Sequence, residues 1–163
     1  MNNRVIAIAA ISKGRRALGN KNELLWKIPG DLPRFKALTT GHPIIMGYNT
    51  YLSLPNLLPN RTNIVMTLEP NIEIEGATVV NSAEGALEAA KSSEGNEEIY
   101  VIGGGMIYKT MLPFTDELDL TLVNDEPEAD VFFPEYSEFT KILSEEIHAE
   151  SDPHFTRVTL RRP

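Results

Sequence analysis

From Val5 to Ile11 the chain reads V-I-A-I-A-A-I, an unbroken apolar run with no polar residue to alternate with. A strand that shows one face to water alternates, so this run suits a strand buried on both faces. Such a strand has to lie inside a sheet, with other elements packed above and below it. Pro43-Ile44-Ile45-Met46-Gly47 reads as a second buried strand, Thr62 to Thr67 as a third, Ala77 to Val80 as a fourth and Glu98 to Ile102 as a fifth.

Helical signals fall between these strands. Asp31 to Thr40 places Leu32, Phe35 and Leu38 at helical spacing, with Gly41 as a stop. Asn49 to Leu54 reads as a short helical turn, Ser82 as the N-cap of a helix running to about Lys91, and Met106 to Leu112 as a helix closed by Pro113. Leu118 to Val123 and 155–161 alternate, which suits strands exposed on one face. Residues 12–30 form a long Gly/Asn/Lys-rich loop, of a length that more often serves function than decoration. The stretch 124–140 is acidic and turn-rich. Strands alternating with helices, and no linker to divide them, predict one α/β domain over 1–163. Its sheet is mainly parallel, with an antiparallel C-terminal edge.

Composition narrows the possibilities. At 163 residues and 42% apolar the chain can bury a full core, and it lacks an apolar run of the roughly 20 residues that a membrane helix needs. Met1-Asn2-Asn3-Arg4 leads straight into a strand rather than into the apolar centre of a signal peptide. The absence of cysteine excludes disulfides, iron–sulfur clusters and cysteine nucleophiles, and His42, His148 and His154 do not have zinc-ligand spacing. A net charge of -8 argues against a nucleic-acid partner. Residues 1–36 nevertheless balance at +6 against -14 for the remainder, which is either a solvated surface asymmetry or a basic segment that attracts an anionic small molecule.

Four features can carry chemistry. Gly103, Gly104 and Gly105 join a buried strand to a helix, where backbone can approach a ligand closely and unpaired helix N–H groups suit a pyrophosphate. The spacing is not G-x-G-x-x-G, and a tight turn with no ligand explains it equally well. Asp31 opens an apolar-faced helix, either as an N-cap or as a partly buried anion that recognises a cationic or N–H-rich heterocycle. Trp26, the sole tryptophan, is core packing or a lid over the core. Arg61 is a free surface arginine or a two-pronged grip on a substrate carboxylate.

With these pieces in order the chain resembles the bacterial dihydrofolate reductases almost end to end. The matching strings are I-A-A-I-S (8–12), L-G-N-K-N-E-L-L-W-K-I-P-G-D-L (18–32), H-P-I-I-M-G (42–47), L-L-P-N-R-T-N-I-V (57–65), V-I-G-G-G-M-I-Y (101–108), L-D-L-T (118–121) and F-F-P-E-Y (132–136). The resemblance implies an eight-stranded sheet with helices on both faces. It also implies NADPH-dependent reduction of 7,8-dihydrofolate to tetrahydrofolate, for one-carbon metabolism and thymidylate synthesis, by a cytoplasmic monomer with no metal, nucleic-acid or membrane partner. NADH is a possible weaker or comparable donor.

Residue by residue, the resemblance makes Asp31 the one ionisable group in the pterin pocket, supported by Thr121. Trp26 would hold an ordered water nearby. Ile8, Ala9, Ala10, Leu32, Phe35, Leu54, Leu58 and Ile102 would wall the pocket, Arg61 would hold the glutamate α-carboxylate, and Lys36 would lie near that tail. Gly103, Gly104, Gly105, Met106, Ile107 and Tyr108 would line the cofactor, with Ala10, Leu18, Gly19, Asn22, Gly47, Asn49, Thr50, Thr67 and Ile102; Tyr108 would also reach the substrate. The first glycine pair is expected to be joined by a cis peptide.

Departures from the family pattern are equally specific. The segment between Ile11 and Leu18 is slightly long, Leu24-Leu25 replaces a Pro-containing pair, and Ala129 stands where Gly is usual. Tyr48 replaces an arginine, and Asn49, Leu68 and Met106 also leave the expected 2′-phosphate region without a cation. The related reductase of riboflavin biosynthesis shares the architecture, but W-x-x-P-x-D-L with Thr121 and Arg61 favours folate. Loss of Asp31, Trp26 or the glycines would favour a non-catalytic nucleotide-binding module, and all are present.

Overall fold

The computed structural model describes residues 3–21 and 23–163. In chain order the strands are β1 (Arg4–Ser12), β2 (Ala17–Asn20), β3 (Glu23–Leu24), β4 (Ile44–Gly47), β5 (Asn63–Met66), β6 (Thr78–Val80), β7 (Glu98–Gly103), β8 (Glu117–Val123), β9 (Val131–Phe132), β10 (Lys141–His148) and β11 (Phe155–Arg161). The α-helices are α1 (Asp31–Thr39), α2 (Tyr48–Ser53), α3 (Ala83–Lys91) and α4 (Gly105–Met111), and a 3-10 turn at Leu112–Phe114 follows α4. An eight-stranded sheet runs in the order β10-β11-β8-β1-β7-β4-β5-β6. Its pairings are parallel from β8 to β6, while β11 is antiparallel to both β8 and β10.

The apolar run of β1 lies near the middle of this sheet and divides its side chains between the two faces. Val5, Ala7 and Ile11 pack in a cluster with Ala83, Ala86 and Ala90 of α3 and with Ile107, Tyr108 and Met111 of α4. Ile6 and Ile8 pack on the opposite face in a cluster that includes Ile44, Met46 and Val65, flanked by Phe35 and Leu38 of α1 and by Tyr48 and Tyr51 of α2. The period of two along the strand therefore separates two cores.

Several local expectations change. The 12–30 segment is not purely loop: β2 and β3 pair within it, and β9 joins β2 to complete a small three-stranded sheet. Gly30, at φ 78, occupies the N-cap of α1, so Asp31 is the first helical residue and makes no capping bond. The Ser82 hydroxyl does cap α3, accepting from the Gly85 N–H at 2.9 Å. Strand β8 alternates chemically but is buried on both faces, because each polar side chain meets a partner. Glu117 accepts from Arg4 at 2.6 Å, Asp119 from Arg34 at 2.8 Å, and Thr121 contacts Asp31 at 3.4 Å. Strand β10 is almost wholly exposed, and its apolar residues Ile142, Leu143 and Ile147 lie on the outside rather than in a core.

Candidate active site

The cleft begins at the start of α1. Gly30 turns the chain through a left-handed conformation, and the Asp31 side chain, 31% exposed, is directed toward the sheet. Its Oδ1 accepts from the Thr121 hydroxyl at 3.4 Å and from Nη2 of Arg157 at 3.4 Å. The expected Asp31–Thr121 pair is thus brought together by α1 and β8. Asp31 is not the only ionisable group there, however, because Arg157 reaches it from β11 and the Arg34–Asp119 ion pair lies on the same face. Sequence reading missed Arg157, since only the register that sets it opposite Thr121 reveals the contact.

Ile8, Phe35, Leu54, Leu58 and Ile102 share the cluster on the α1 face and form a continuous apolar wall. Ala9 departs from the expectation: its side chain packs with the opposite cluster, as strand alternation requires, so only its backbone borders the cleft. Ala10 is half-buried, in register with Thr121. Leu32 is 74% exposed at the rim, and Lys36 is exposed further along α1.

Arg61 is half-buried. Its Nη1 donates to the Thr39 hydroxyl at 2.9 Å and its Nε to the Pro59 carbonyl at 2.9 Å, leaving Nη2 without a protein partner among the described residues. Burial pulls its pKa below the ordinary arginine value. A preorganised guanidinium with a free donor suits an anionic group.

Across the cleft, β7 turns into α4 through Gly103, Gly104 and Gly105, and the Gly103–Gly104 peptide is cis, as expected. Gly103 has φ +114, and a Cβ on it would lie 3.1 Å from the Tyr108 ring. A Cβ on Gly105 would lie 2.7 Å from Val131 Cγ1, and one on Gly47 2.8 Å from Ile107 Cγ1. Gly104 faces the open side, where an added Cβ would meet only the Thr50 hydroxyl at 3.7 Å. Glycine is therefore demanded by packing behind the turn, and the backbone is bare in front of it.

Tyr108 and Ile107 are core residues rather than surface lining. The Tyr108 hydroxyl donates to the Ile8 carbonyl at 2.6 Å, its burial pushes the phenol well above the usual range, and Ile107 packs beneath Gly47. Both belong to the cluster behind the turn, because α4 presents that side to the sheet. Met106 and Leu68 are exposed, Asn49 is exposed, Thr50 is half-buried, and the Thr67 hydroxyl accepts from the Glu69 N–H at 3.1 Å.

The 12–30 segment is clasped from the acidic 124–133 stretch. Glu126 accepts from the Gly14 N–H at 2.7 Å and the Arg15 N–H at 3.0 Å, and these bonds, Gly14's foremost, hold its carboxyl below the usual range. Asp130 accepts from the Lys21 N–H at 3.0 Å and donates its own N–H to the Gly19 carbonyl at 3.0 Å. The Trp26 indole N–H donates to Asp125 at 2.9 Å, so its one donor is committed to a carboxylate other than that of Asp31. Leu18 packs against the core behind the glycine turn, and Asn22 lies outside the described residues.

A mainly parallel sheet with a glycine turn on one side of an apolar cleft and a half-buried carboxylate on the other defines an α/β protein with a ligand-type cleft. The family model described as dihydrofolate reductase matches residues 4–162. The dihydrofolate reductase of Bacillus subtilis is 43% identical over 132 residues, covering 80% of this chain and 77% of that one. The type 3 dihydrofolate reductase of Salmonella typhimurium is 36% identical, covering 81% and 80%. A solved structure of the Enterococcus faecalis dihydrofolate reductase, complexed with NADP(H) and RAB-propyl, superposes with a TM-score of 0.86 at 29% identity, covering 98% of this chain and 96% of that one. The chain belongs to the dihydrofolate reductase family.

Proposed function

We infer that this protein reduces 7,8-dihydrofolate to 5,6,7,8-tetrahydrofolate with NADPH as the donor. The observation that carries this reading is the half-buried Asp31 carboxylate, contacted by Thr121, in a chain of this family. NADPH supplies the hydride, and the protein supplies alignment, a dry cleft and the charge that orients the ring. Asp31 accepts hydrogen bonds from the pterin N3–H and 2-amino group. Ile8, Phe35, Leu54, Leu58 and Ile102 exclude water around the ring, and Arg61 holds the carboxylate of the glutamate tail. No side chain of this set is an obvious proton donor to pterin N5, so water serves there while Asp31 fixes the ring.

The residues on the other side of the cleft fit a dinucleotide. Gly104 exposes backbone, and the N–H groups of Gly105 and Met106 precede the first helical bond, from Tyr108 to Gly104, so the helix leaves them free. Gly103 to Met106, Ala10, Leu18, Gly19, Gly47, Asn49, Thr50, Thr67 and Ile102 form this binding surface, while Ile107 and Tyr108 brace it from behind. Tyr48, Asn49, Leu68 and Met106 provide no cation for a 2′-phosphate, which supports NADH as a weaker or comparable donor. The reading extends to one domain over 1–163, acting as a cytoplasmic monomer, and a single chain contributes both sides of the cleft. The direct test is loss of NADPH absorbance when dihydrofolate is added to the purified protein; no loss overturns the reading.

A further inference from the structure

We propose that Asn63 is a positioning residue for substrate selectivity: its side-chain amide fixes the 58–61 loop so that Arg61 is presented to a carboxylate-bearing tail. The proposal rests on the reading of Arg61 as the tail anchor. Asn63 opens β5, and strand alternation sets its side chain on the same face as Val65, the face of the apolar wall. The residue is only 3% exposed, and its hydrogen bonds run back to the loop that precedes it. Its Oδ1 accepts from the Leu58 N–H at 3.1 Å, while Nδ2 donates to the Leu58 carbonyl at 2.9 Å and to the Arg61 carbonyl at 3.1 Å. One amide thus holds both backbone groups of a wall residue and the carbonyl of the arginine that follows it in the loop. The set needs an acceptor and two donors on one short side chain, which aspartate and serine each supply only in part.

The two ends of this loop are held differently. The Leu58 side chain packs against the cluster of Ile8, Ile44 and Val65, so apolar contact retains it even without the amide. Arg61 is held by polar contacts. Its Nε donates to the Pro59 carbonyl, within the loop itself, and its Nη1 to the Thr39 hydroxyl on α1. Thr39 is fully buried and donates in turn to the Phe35 carbonyl at 2.9 Å, so it is a fixed acceptor. Both guanidinium bonds form together only if the loop stands at one distance from α1. The Asn60 carbonyl ties the loop to the Gly41 N–H at 2.8 Å, just past α1, at a residue with φ 61. Asn63 supplies the corresponding tie to the sheet. Without it the Leu58 and Arg61 carbonyls lose their partner, the loop shifts, and the guanidinium leaves its aim while the ring end of the cleft still stands.

The test compares two substrates, dihydrofolate and a methyl-substituted 7,8-dihydropterin that has no glutamate tail. Their kcat and KM are measured with saturating NADPH in the parent, Asn63→Asp, Arg61→Ala and the double variant. Asn63→Asp keeps the acceptor for the Leu58 N–H and loses both donors. It is expected to raise KM for dihydrofolate about fivefold, with kcat, and both constants for the dihydropterin, within about twofold of the parent. Added to Arg61→Ala it should cost less than about twofold more, because one residue acts through the other. Equal effects on the two substrates, no effect on either, or a full further loss in the Arg61→Ala background overturns the proposal. Asn63→Ser withdraws the amide without adding charge, and it is read the same way if the aspartate variant does not fold. If neither folds with NADPH bound, the amide serves the whole fold and the proposal falls. An Arg61→Ala variant that impairs both substrates equally defeats the reading of Arg61 and this proposal with it, whereas a selective Arg61→Ala beside an unselective Asn63→Asp defeats only the role of Asn63.

Discussion

At the α1 end of the cleft charged and polar side chains reach one another across three elements, Asp31 from α1, Thr121 from β8 and Arg157 from β11. At the glycine turn the lining is backbone, and the nearby side chains at Gly47, Gly103 and Gly105 are absent because others already fill the space behind them. The first region should tolerate changes of shape better than changes of charge. The second should tolerate neither added bulk nor a change of backbone conformation.

Substitutions at each end test this contrast. Asp31→Asn removes charge with little change of shape, and the fold should survive because Asp31 makes no capping bond. Turnover should fall by about 10²–10³-fold, the cost typical of losing a preorganised electrostatic group; a parental rate in the folded variant breaks the assignment. Gly103→Ala adds shape without charge, in a φ region that alanine avoids and against the Tyr108 ring. We expect kcat/KM to fall on the order of 10²-fold through misalignment, with dihydrofolate binding in the absence of cofactor much less affected. Equal losses in both measurements would erase the distinction between the two ends.

Smaller effects refine it. Arg61→Ala should weaken dihydrofolate by about tenfold, within the range for one charge-assisted bond, while sparing a pterin that lacks the glutamate. Equal losses for both ligands would remove the tail-binding role. Tyr48→Arg replaces a half-buried ring that follows Gly47 at the start of α2 with a cation and should widen the preference for NADPH over NADH by up to about fivefold, the scale of a partly solvated ion pair. Comparing kcat/KM for both cofactors in parent and variant decides this, and a strong parental preference left unchanged would locate the phosphate contacts elsewhere.

The two regions were also unequally legible in sequence. Three consecutive glycines after an apolar strand announce a backbone-lined turn, and the buried strands β1, β4, β5 and β7 announce themselves as apolar runs. Ser82 marks the start of α3 because capping is local chemistry. Asp31 read alone favours an N-cap, a position that Gly30 takes instead, and only the resemblance joins Asp31 to Thr121. Arg157 was invisible for a stronger reason: residues 31, 121 and 157 meet only through the β8–β11 register and the packing of α1. Strand β10 escaped because Ile142, Leu143 and Ile147 do not alternate regularly and are exposed at the sheet edge, and the polar face of β8 passed for a solvent face because its partners lie far away in sequence.

The clasp on the 12–30 segment has a consequence in acid. Glu126 binds the amides of Gly14 and Arg15 only as an acceptor, and those bonds hold its folded pKa below the unfolded value. Its contribution is therefore present above the ordinary carboxylate range and is lost as pH falls through the depressed folded pKa. The apolar clusters on the two faces of the sheet have no such dependence. Acid should release the clasp while the sheet still holds, visible as faster amide exchange at Gly14 and Arg15 relative to β1 and β7 once the intrinsic pH dependence is divided out. Acid therefore loosens a segment that borders the cleft, and activity at low pH should decline ahead of the folded structure.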